Sequence, residues 1–482
     1  MTTTLLGWRF ALTPVAALLC LQAQAADLIE IYQGAREADP QFRAADYGHQ
    51  ASRELLEQAK SGYLPSVDLS YETSKTHQEI LETENPLFTE GSTRFPTDVL
   101  TLSLTQPIFR YANYLRIGQA RSELKQADAE LSMAEQELML RVAEGYINAL
   151  IAGNDLDYLK AERTAVEKQL QLARAREKAM LGRVSDSLEA EARLASVMAD
   201  YSAAEVVLRD SHEALAEMTG ELPGSLRRLH PDFPLPPPEP LDVEHWVEAA
   251  MEQNWELEAQ RQALEVSRSE VQRQGAGHYP TLDLKYQDSV NDTGGTLFGG
   301  GSRVRNREWM LSFNLPLYKG GSVSSKTREA VLDHEGRRED LIRLSRQVRR
   351  EARRSYLEIV NAIERVNALK KEVAAQEEVL KLKRAGYEAA LYANLAVLDA
   401  ERDLFSAKRD YIRARYDYLI NGLKLKAVVG TLSEADLDGV NHWLTEEGRS
   451  AFRSVVNRRV AFDAGASPGG GESRASVEDR TR

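Results

Sequence analysis

Apolar and polar residues alternate in four short segments of the chain, with the period of a β-strand. The alternation covers residues 67–72, 100–105, 282–287 and 309–317. Because successive strand side chains point to opposite faces, each segment predicts a strand with one apolar and one polar face. The apolar faces could cover a small soluble core. Strands of this length, in a chain whose helices offer little spare apolar surface, favour contact with lipid instead.

Polar segments and prolines bound the predicted strands. We expect residues 74–98 and 289–307 to form long polar loops that connect the two strands of each pair. Proline cannot donate a ladder hydrogen bond, so it is tolerated at a strand end, where it also favours a bend towards a helix. Four prolines lie at the strand ends nearest the predicted helices: Pro65, Pro107, Pro280 and Pro316.

A seven-residue apolar repeat follows each strand pair. It runs through residues 117–138 in the first half of the chain and through 359–380 and 397–425 in the second. Such a repeat predicts helices that wrap around one another, and the alanines beside it allow close approach of the backbones. No proline interrupts residues 112–181. A helix of about 70 residues would be roughly 100 Å long, so it must project from any globular core.

The two halves of the chain carry the same motifs in the same order. Residues 62–69 and 102–109 return as 277–284 and 311–318, and the matches continue to the end of each half. A period this long indicates a duplicated module, read as helix, strand, loop, strand, very long helix and shorter helix. The predicted segments are a signal peptide (1–25), a first repeat (26–230), a proline-rich linker (231–245), a second repeat (246–445) and a C-terminal tail (446–482) whose end is disordered.

The first 25 residues have the pattern of a secretory signal peptide. Arg9 supplies the positive charge, residues 10–21 the apolar run and residues 23–25 a cleavage site between small residues. A short membrane anchor is the alternative, but the apolar run is too short to span a bilayer comfortably. Cys20, the one cysteine, lies in this segment. The mature chain is therefore expected to have no disulfide or cysteine-bound metal.

The number of strands predicts the assembly. No apolar stretch of about 18 residues follows the signal peptide, which excludes a helical membrane protein but leaves membrane strands open. Four strands cannot close a barrel. Two chains would give a barrel filled by side chains, whereas three would give twelve strands and room for water. Polar residues such as Asp68, Ser103 and Asp283 favour the wet interior, and therefore a homotrimer in outer-membrane lipid.

Composition and motif searches contribute mainly by exclusion. Of the 482 residues, 28% are charged, which suits long solvated helices, and the formal net charge is −13. The acidic balance argues against nucleic-acid binding, which needs a basic face. No nucleophile-elbow, zinc-protease or phosphate-loop motif occurs, and the eight histidines lack ligand spacing. We therefore expect no enzyme activity, cofactor or metal site.

A basic run over residues 337–354 corresponds to an acidic stretch, residues 128–137, in the first repeat. A nucleic-acid site is one reading of the basic run, and export of an acidic chain argues against it. Our hypothesis is that the two long helices pack with these stretches facing each other, so that opposite charges set their register.

The turn between the long and the shorter helix of each half has two possible roles. Asp186 with Glu189 has the spacing of a capping box, and Asn394 is a favourable helix cap. Alternatively, threefold copies of Asp186 and Asp399 form acidic rings at the inner mouth of a pore. Converging carboxylates there attract cations.

The chain resembles the TolC family of outer-membrane factors over nearly its whole mature length. The resemblance rests on residues 29–40, the strand-end motifs 106–109 and 315–321, residues 397–400 and, most specifically, 414–432. It implies a homotrimer with a twelve-stranded outer-membrane β-barrel and a long helical barrel in the periplasm, thus a mainly α fold with a β-barrel. The implied function is an exit duct for efflux pumps or type I secretion. Its implied partners are a periplasmic adaptor protein and an inner-membrane transporter.

The resemblance also implies roles for single residues. Asp186 and Tyr387 match residues that hold the periplasmic end closed in the family, and Asp399 matches a selectivity carboxylate. Tyr392 and Ala396 depart from the family, which has an arginine and an aspartate there. With that ion pair absent, the closed state must rest on other contacts or close less tightly.

The same resemblance assigns the adaptor-docking turns to Leu181, Gly182, Ala390 and Leu391. An Ala-Ala pair at 389–390 replaces the Val-Gly pair of the family, which leaves room for a different adaptor. The alternative function is a periplasmic coiled-coil scaffold or adaptor with a soluble sheet. Adaptors normally carry a biotinyl-like module between their helices, and no such module is recognisable in the sequence.

Overall fold

Two repeats of helices and strands build the molecule, and the computed structural model describes residues 26–82, 91–296, 299–389 and 391–445. The predicted signal peptide and C-terminal tail lie outside the described residues. The elements in chain order are α1 (Leu28–Ala38), α2 (Pro40–Ser61), β1 (Ser66–Ile80), β2 (Gly91–Arg110), α3 (Tyr111–Lys178), α4 (Val184–Thr219), β3 (Arg228–Leu229), α5 (Val243–Gln253), α6 (Trp255–Gly275), β4 (Thr281–Thr296), β5 (Gly299–Asn314), α7 (Ser322–Glu388), α8 (Asn394–Val429), α9 (Glu434–Asn441) and β6 (Leu444–Thr445), with a 3₁₀ turn (Ala276–His278) before β4.

The four long strands form one antiparallel sheet in the order β1-β2-β4-β5. Its register pairs Leu69 with Leu102, and pairs Tyr286 with both Leu104 and Trp309. These pairs put the apolar residues of all four strands on one side of the sheet, called the apolar face, and polar residues on the other. The large side chains of this face are mostly exposed in the single chain. The predicted two-faced strands are confirmed.

The strands extend further than the alternation indicated. β1 ends at Ile80 and β2 begins at Gly91, so most of segment 74–98 is strand. The second pair behaves in the same way, and strand covers most of segment 289–307. The prediction of long loops was therefore wrong. Polar residues occupy both faces of these outer segments, so they carry no apolar alternation that would reveal a strand.

The four prolines lie near the ends of the strands that adjoin helices. Pro65 and Pro280 directly precede β1 and β4, and Pro316 follows the end of β5. Pro107 lies inside β2, close to its end, where the β2–β4 register shifts between Pro107 and Phe109. This irregularity accommodates a residue that cannot donate a ladder hydrogen bond.

The helices α3 and α7 are continuous over 68 and 67 residues. At about 1.5 Å per residue, each is roughly 100 Å long. The helices α2 and α6 accompany them near the sheet, and α4 and α8 accompany them beyond it. None of the helices in the described part of the chain combines the length and the apolar character needed to cross a membrane.

Each repeat begins with two helices where the sequence pattern predicted one. Asp39 and Asn254 separate them with extended backbone, at ψ 118° and 123°. Their side chains accept hydrogen bonds from the amides of Phe42 and Leu257, at 2.7 and 2.9 Å. Both residues therefore cap the second helix of their pair. The one-helix prediction was wrong because a capping residue between two apolar stretches hardly disturbs their periodicity.

The main hydrophobic core surrounds the middle of α3. Leu138, Val142 and Tyr146 are fully buried there, with α1 and α9 packed against the same helix. The Tyr146 hydroxyl donates to the carbonyls of Ala26 and Arg227, at 3.2 and 2.9 Å. These contacts tie the short elements of both repeats into a belt around the long helices. The halves of α3 and α7 that lie farther from the sheet project beyond this belt, together with the parts of α4 and α8 that pack against them.

The hypothesis that opposite charges pair α3 with α7 was wrong. Asp128 contacts His49 of α2 at 2.7 Å, and Glu135 contacts Arg36 of α1 at 3.2 Å. In the basic run, Arg353 contacts a glutamate of α5 at 2.5 Å. α6 packs on both α3 and α7 and therefore lies between them. The two charged stretches make their long-range ion pairs with the short helices of their own repeats.

Candidate functional site at the hairpin tips

The helices α3 and α4 form hairpin 1, and α7 and α8 form hairpin 2. We call their distal ends tip 1 (residues 176–194) and tip 2 (residues 386–404). In tip 1, the amides of Leu181 and Gly182 donate to the Arg176 carbonyl at 2.8 and 3.1 Å. These hydrogen bonds turn the chain from α3 into α4.

Tip 2 has the same pair of hydrogen bonds, but the position that has a large side chain in tip 1 has a glycine in tip 2, and the reverse. The equivalent amides donate to the Gly386 carbonyl at 2.8 and 3.3 Å. Gly386 stands where tip 1 has Arg176, and Tyr392 stands where tip 1 has Gly182. A Cβ atom on Gly386 would lie 2.2 Å from a ring carbon of Tyr392. The tyrosine ring therefore fills space that only a glycine leaves open.

Asn394 connects tip 2 to hairpin 1. Its side chain is fully buried, and its Nδ2 donates to the Asp186 carbonyl at 3.1 Å. Its Oδ1 accepts a hydrogen bond from Nε2 of Gln169 in α3. The buried amide of hairpin 2 thus has partners on both helices of hairpin 1, which is the satisfaction that a buried polar group requires.

Neither Asp186 nor Asn394 is the helix cap that the sequence suggested. Helix α4 begins at Val184 with Arg183 as its N-cap, and Asp186 lies in its first turn. Helix α8 begins at Asn394 itself, with Ala393 as its N-cap. Neither N-cap makes a side-chain capping hydrogen bond. The capping prediction was wrong because the hydrogen bonds of the turn start each helix earlier than a capping side chain would.

Leu398 also connects tip 2 to hairpin 1, through apolar contacts. It is 2% exposed and packs with Val166, Leu170 and Ala190 of hairpin 1. The equivalent residue in tip 1, Leu188, is 60% exposed. The face of hairpin 2 that contains Leu398 is therefore buried against hairpin 1. The equivalent face of hairpin 1, which contains Leu188, is exposed in the single chain.

Tyr387 lies buried at the end of α7, among Leu380, Val397 and Leu404. The guanidinium of Arg176 lies 4.5 Å from the centre of its ring. Because Arg176 belongs to α3, this cation–π contact adds a third link between the two tips.

In each hairpin, one ion pair links the two helices, and the two pairs occupy equivalent positions of the two repeats. Arg174 and Glu191 are 3.0 Å apart in hairpin 1, with both side chains largely exposed. Arg384 and Glu401 are 2.7 Å apart in hairpin 2, and there the glutamate is buried. The same pair is thus retained in both repeats, in two environments.

A further ion pair belongs to hairpin 1 alone. Arg193 lies 2.5 Å from Glu162, which is buried. Burial raises the pKa of Glu162 above its ordinary value, although Arg193 acts in the opposite direction. The equivalent residues of hairpin 2 are Glu372 and Asp403, two acids that cannot form such a pair.

The two predicted selectivity carboxylates, Asp186 and Asp399, lie at the same end of the molecule and are partly exposed. Asp399 is 3.5 Å from Arg402, which also contacts Asp403 at 2.8 Å. Asn394, which contacts the Asp186 carbonyl, precedes Asp399 by about 7.5 Å along α8. Within the described residues, no group of three or more His, Cys, Asp or Glu side chains is placed to hold a metal ion.

The predicted adaptor-docking residues lie at the outermost points of the tips. Leu181 and Leu391 are largely exposed, and Gly182 packs against the Arg176 side chain. Ala390 lies outside the described residues.

Sequence reasoning missed Gln169, Arg176 and Leu398 as contacts between the tips. Their partners belong to the other hairpin, and the periodicity of a single helix does not identify a partner in another. One signal was available in the repeat. Asn394 stands where the first repeat has Val184, and a polar residue at a position that is apolar in the other copy points to a special contact.

Comparisons with known proteins agree with this architecture. The family model described as outer membrane efflux protein matches residues 31–221 and 246–431, one segment in each repeat. The proteases secretion protein PrtF of Dickeya chrysanthemi is 30% identical over 436 residues, which cover 90% of this chain and 94% of that protein. The outer membrane protein TolC of Escherichia coli is 29% identical over 470 residues, covering 95% of this chain and 93% of that protein.

A similar solved structure is that of the outer membrane protein VceC from Vibrio cholerae. The TM-score is 0.68 at 20% identity, over 84% of this chain and 96% of that one. At this identity, the likeness shows the fold alone. The family model, by contrast, matches more than half of the sequence and both of its repeats. The chain therefore belongs to the outer membrane efflux protein family.

Proposed function

We propose that three copies of this chain form an exit duct, whose sheets cross the outer membrane and whose helices extend through the periplasm. The observation that carries the proposal is the sheet with a mostly exposed apolar face, joined directly to helices about 100 Å long. A lipid bilayer covers such a face, and projecting helices bridge the space below it. The family of the chain supports the same role.

The free edges of the sheet support the trimer. In the single chain, β1 and β5 are the two edge strands of the four-stranded sheet. Long exposed edges carry unpaired backbone groups, which a membrane does not tolerate. Pairing of β5 with β1 of the next copy leaves neither edge strand unpaired, and three copies close a ring of twelve strands.

The tips are the proposed periplasmic gate of this duct. Asn394, Leu398 and the Arg176–Tyr387 contact hold hairpin 2 against hairpin 1, which corresponds to a closed state. Separation of the hairpins at these contacts opens the duct. Tyr392, packed on Gly386, takes the position of the arginine that the family resemblance led us to expect. In this proposal the closed state rests on one buried amide, on apolar packing and on the Arg176–Tyr387 cation–π contact.

Protein export is the cargo class that we propose, through a periplasmic adaptor and an inner-membrane transporter. The support is PrtF, a relative named as a proteases secretion protein and matched over 90% of this chain. The exposed face of hairpin 1 around Leu188, together with the exposed Leu181 and Leu391, offers apolar surface for the adaptor.

Fractionation followed by conductance measurement tests the duct. We expect the chain in the outer-membrane fraction as a heat-resistant trimer that forms channels in planar bilayers. Recovery as a soluble periplasmic protein would overturn the proposal and favour the alternative of a scaffold or adaptor.

The same channels test the acidic ring at the tips. Asp399→Ala removes one carboxylate per chain, so we expect cation selectivity to fall. Asp340→Ala is the matched control, because Asp340 pairs with Arg343 at 3.6 Å much as Asp399 pairs with Arg402 at 3.5 Å, but on α7 far from the tip. Equal selectivity in both variants would contradict the ring.

A further inference from the structure

On β5 the apolar side chains of this face end at Trp309, whereas on β1 and β2 they continue through the pairs Leu69–Leu102 and Tyr71–Leu100. Tyr286 and Trp309 are cross-strand neighbours on this face, with ring centres 4.7 Å apart. Tyrosine and tryptophan favour the boundary between the hydrocarbon and the head groups of a membrane. If the apolar face is in lipid, as proposed above, this pair marks the boundary on the side away from the helices.

Three arginines continue the same face beyond that boundary. Arg307, Arg305 and Arg303 follow Trp309 at every second position of β5, so their side chains leave the sheet on the apolar-face side. They lie about 7 Å apart along the strand, at the level expected for lipid head groups.

The acidic partners of these arginines lie beneath them. Asp288 of β4 contacts Arg305 at 2.5 Å and Arg307 at 3.3 Å. The Asp288 side chain is only 13% exposed, whereas those of Arg305 and Arg307 are 55% and 60% exposed. One carboxylate therefore orients two guanidinium groups, which present further N–H donors outwards. Arg303 lies 3.8 Å from Asp292 and is more exposed still.

The first repeat does not carry this row. Alignment of Leu102 with Leu311 puts Asp98, Pro96 and Arg94 of β2 at the positions of the three arginines. The row is thus a feature of the second repeat.

We propose that the β5 arginine row binds the phosphate groups of phosphorylated lipids in the outer leaflet. The inference rests on the proposed membrane position of the sheet. A guanidinium group matches a phosphate with two parallel hydrogen bonds, and three such groups in a line fit a layer of phosphates at one depth. The adjoining apolar face holds the acyl chains of the same lipid. This continuity selects a lipid phosphate over a phosphate free in solution.

The test uses the full-length trimer in phosphatidylcholine nanodiscs that contain a small fixed fraction of diphosphoryl lipid A. Bound lipid is counted by native mass spectrometry. We expect R303Q/R305Q/R307Q to retain about tenfold less lipid A than the unmodified protein, because it loses several charge-assisted hydrogen bonds. The matched control is R268Q/R338Q/R343Q, which removes three exposed helical arginines that form ion pairs three residues apart. It should retain the unmodified amount.

Asp288→Asn separates a built site from diffuse attraction. Loss of a negative charge would strengthen binding that depends on charge alone. In the proposed site it weakens binding, because Arg305 and Arg307 lose the group that orients them. Tighter binding by this variant would overturn the proposal, as would displacement of lipid A by inorganic phosphate at the same concentration.

The assay also separates this inference from the proposed function. If the unmodified chain fails to reach the outer membrane as a trimer, the duct itself is wrong. If the triple variant forms that trimer and still retains as much lipid A as the unmodified protein, only the arginine site is wrong.

Discussion

Tip 1 and tip 2 share the same pair of backbone hydrogen bonds but differ in their other contacts. Tip 2 places Asn394 and Leu398 into hairpin 1, whereas the equivalent Val184 and Leu188 of tip 1 are exposed in the single chain. A duplicated hairpin has thus become two different parts, through a few side chains and without a change of turn. Hairpin 1 provides the receiving surface, and hairpin 2 is the element that docks on it.

Truncation of Leu398 should have the largest effect on the docking of tip 2 against hairpin 1. Leu398→Ala removes a buried side chain, so we expect a loss of about 2–5 kcal/mol in the docking of tip 2. Amide hydrogen exchange over residues 394–404 of the trimer measures the loss as faster exchange, by roughly 30-fold or more.

Leu188→Ala is the matched control for that measurement. Its side chain is exposed, so we expect a change below about 0.5 kcal/mol. A similar large effect of both substitutions would show that tip 1 is also docked in the assembled trimer, and the contrast between the tips would fail.

Replacement of Asn394 by the residue of tip 1 should have the next largest effect. Asn394→Val leaves the Asp186 carbonyl and the Gln169 side chain without their buried partner, at a cost of about 1–3 kcal/mol. We expect a higher open probability in single-channel recordings. The reverse change in tip 1, Val184→Asn, alters an exposed position and should leave the recordings unchanged. Equal open probabilities for Asn394→Val and the unmodified channel would remove Asn394 from the gate.

The exchanged side chains of the two turns allow a compensation test. In Gly386→Ala, the new methyl group displaces the Tyr392 ring, and we expect a loss of about 1–3 kcal/mol. A second change, Tyr392→Gly, removes the clash and should restore most of the loss, because tip 1 closes the same turn around Gly182. Hydrogen exchange at the amides of Leu391 and Tyr392 measures both variants. Additive effects of the two changes would contradict the contact.

The sequence predicted the elements whose pattern is local. The two-faced strands follow from a period of two residues, and the long helices from a period of seven. The duplicated module follows from the repetition of one half of the chain in the other. The outer parts of the strands were missed because both of their faces are polar and produce no alternation. The pair His77 and Arg94 lies on one face, and the adjacent pair Gln78 and Thr93 lies on the other. There the strand is defined by hydrogen bonds between backbones, which the side-chain pattern does not record.

The candidate site was predictable in position but not in mechanism. The turn residues locate the tips, and the sequence singled out Asn394 as a favourable helix cap. The capping role assigned to it was wrong because its partners, Gln169 and the Asp186 carbonyl, lie on another hairpin. Contacts between hairpins depend on how the helices are arranged around each other, and heptads within one helix do not specify that arrangement.

The pH dependence of tip 1 should give the smallest effect. Burial raises the pKa of Glu162, so its charged form is disfavoured in the folded hairpin relative to the unfolded chain. The resulting stability is fully present below the ordinary pKa of about 4.5 and is lost as the pH rises through the raised value. We expect Glu162→Gln to remove this loss, so the melting temperatures of the two proteins diverge with rising pH, and the unmodified protein falls relative to the variant.

The equivalent acid of hairpin 2 provides the control for this titration. Glu372 is exposed, so Glu372→Gln measures how the melting temperature responds to the loss of an acid that is not buried. Glu162→Gln also leaves Arg193 without its ionic partner, which lowers the melting temperature of the variant. This lowering is the same at every pH, because Arg193 stays charged throughout. Divergence in the opposite direction, with the unmodified protein gaining stability over Glu162→Gln as the pH rises, would mean that Arg193 outweighs burial. The additional ion pair would then stabilise hairpin 1 at neutral pH, instead of the buried Glu162 destabilising it.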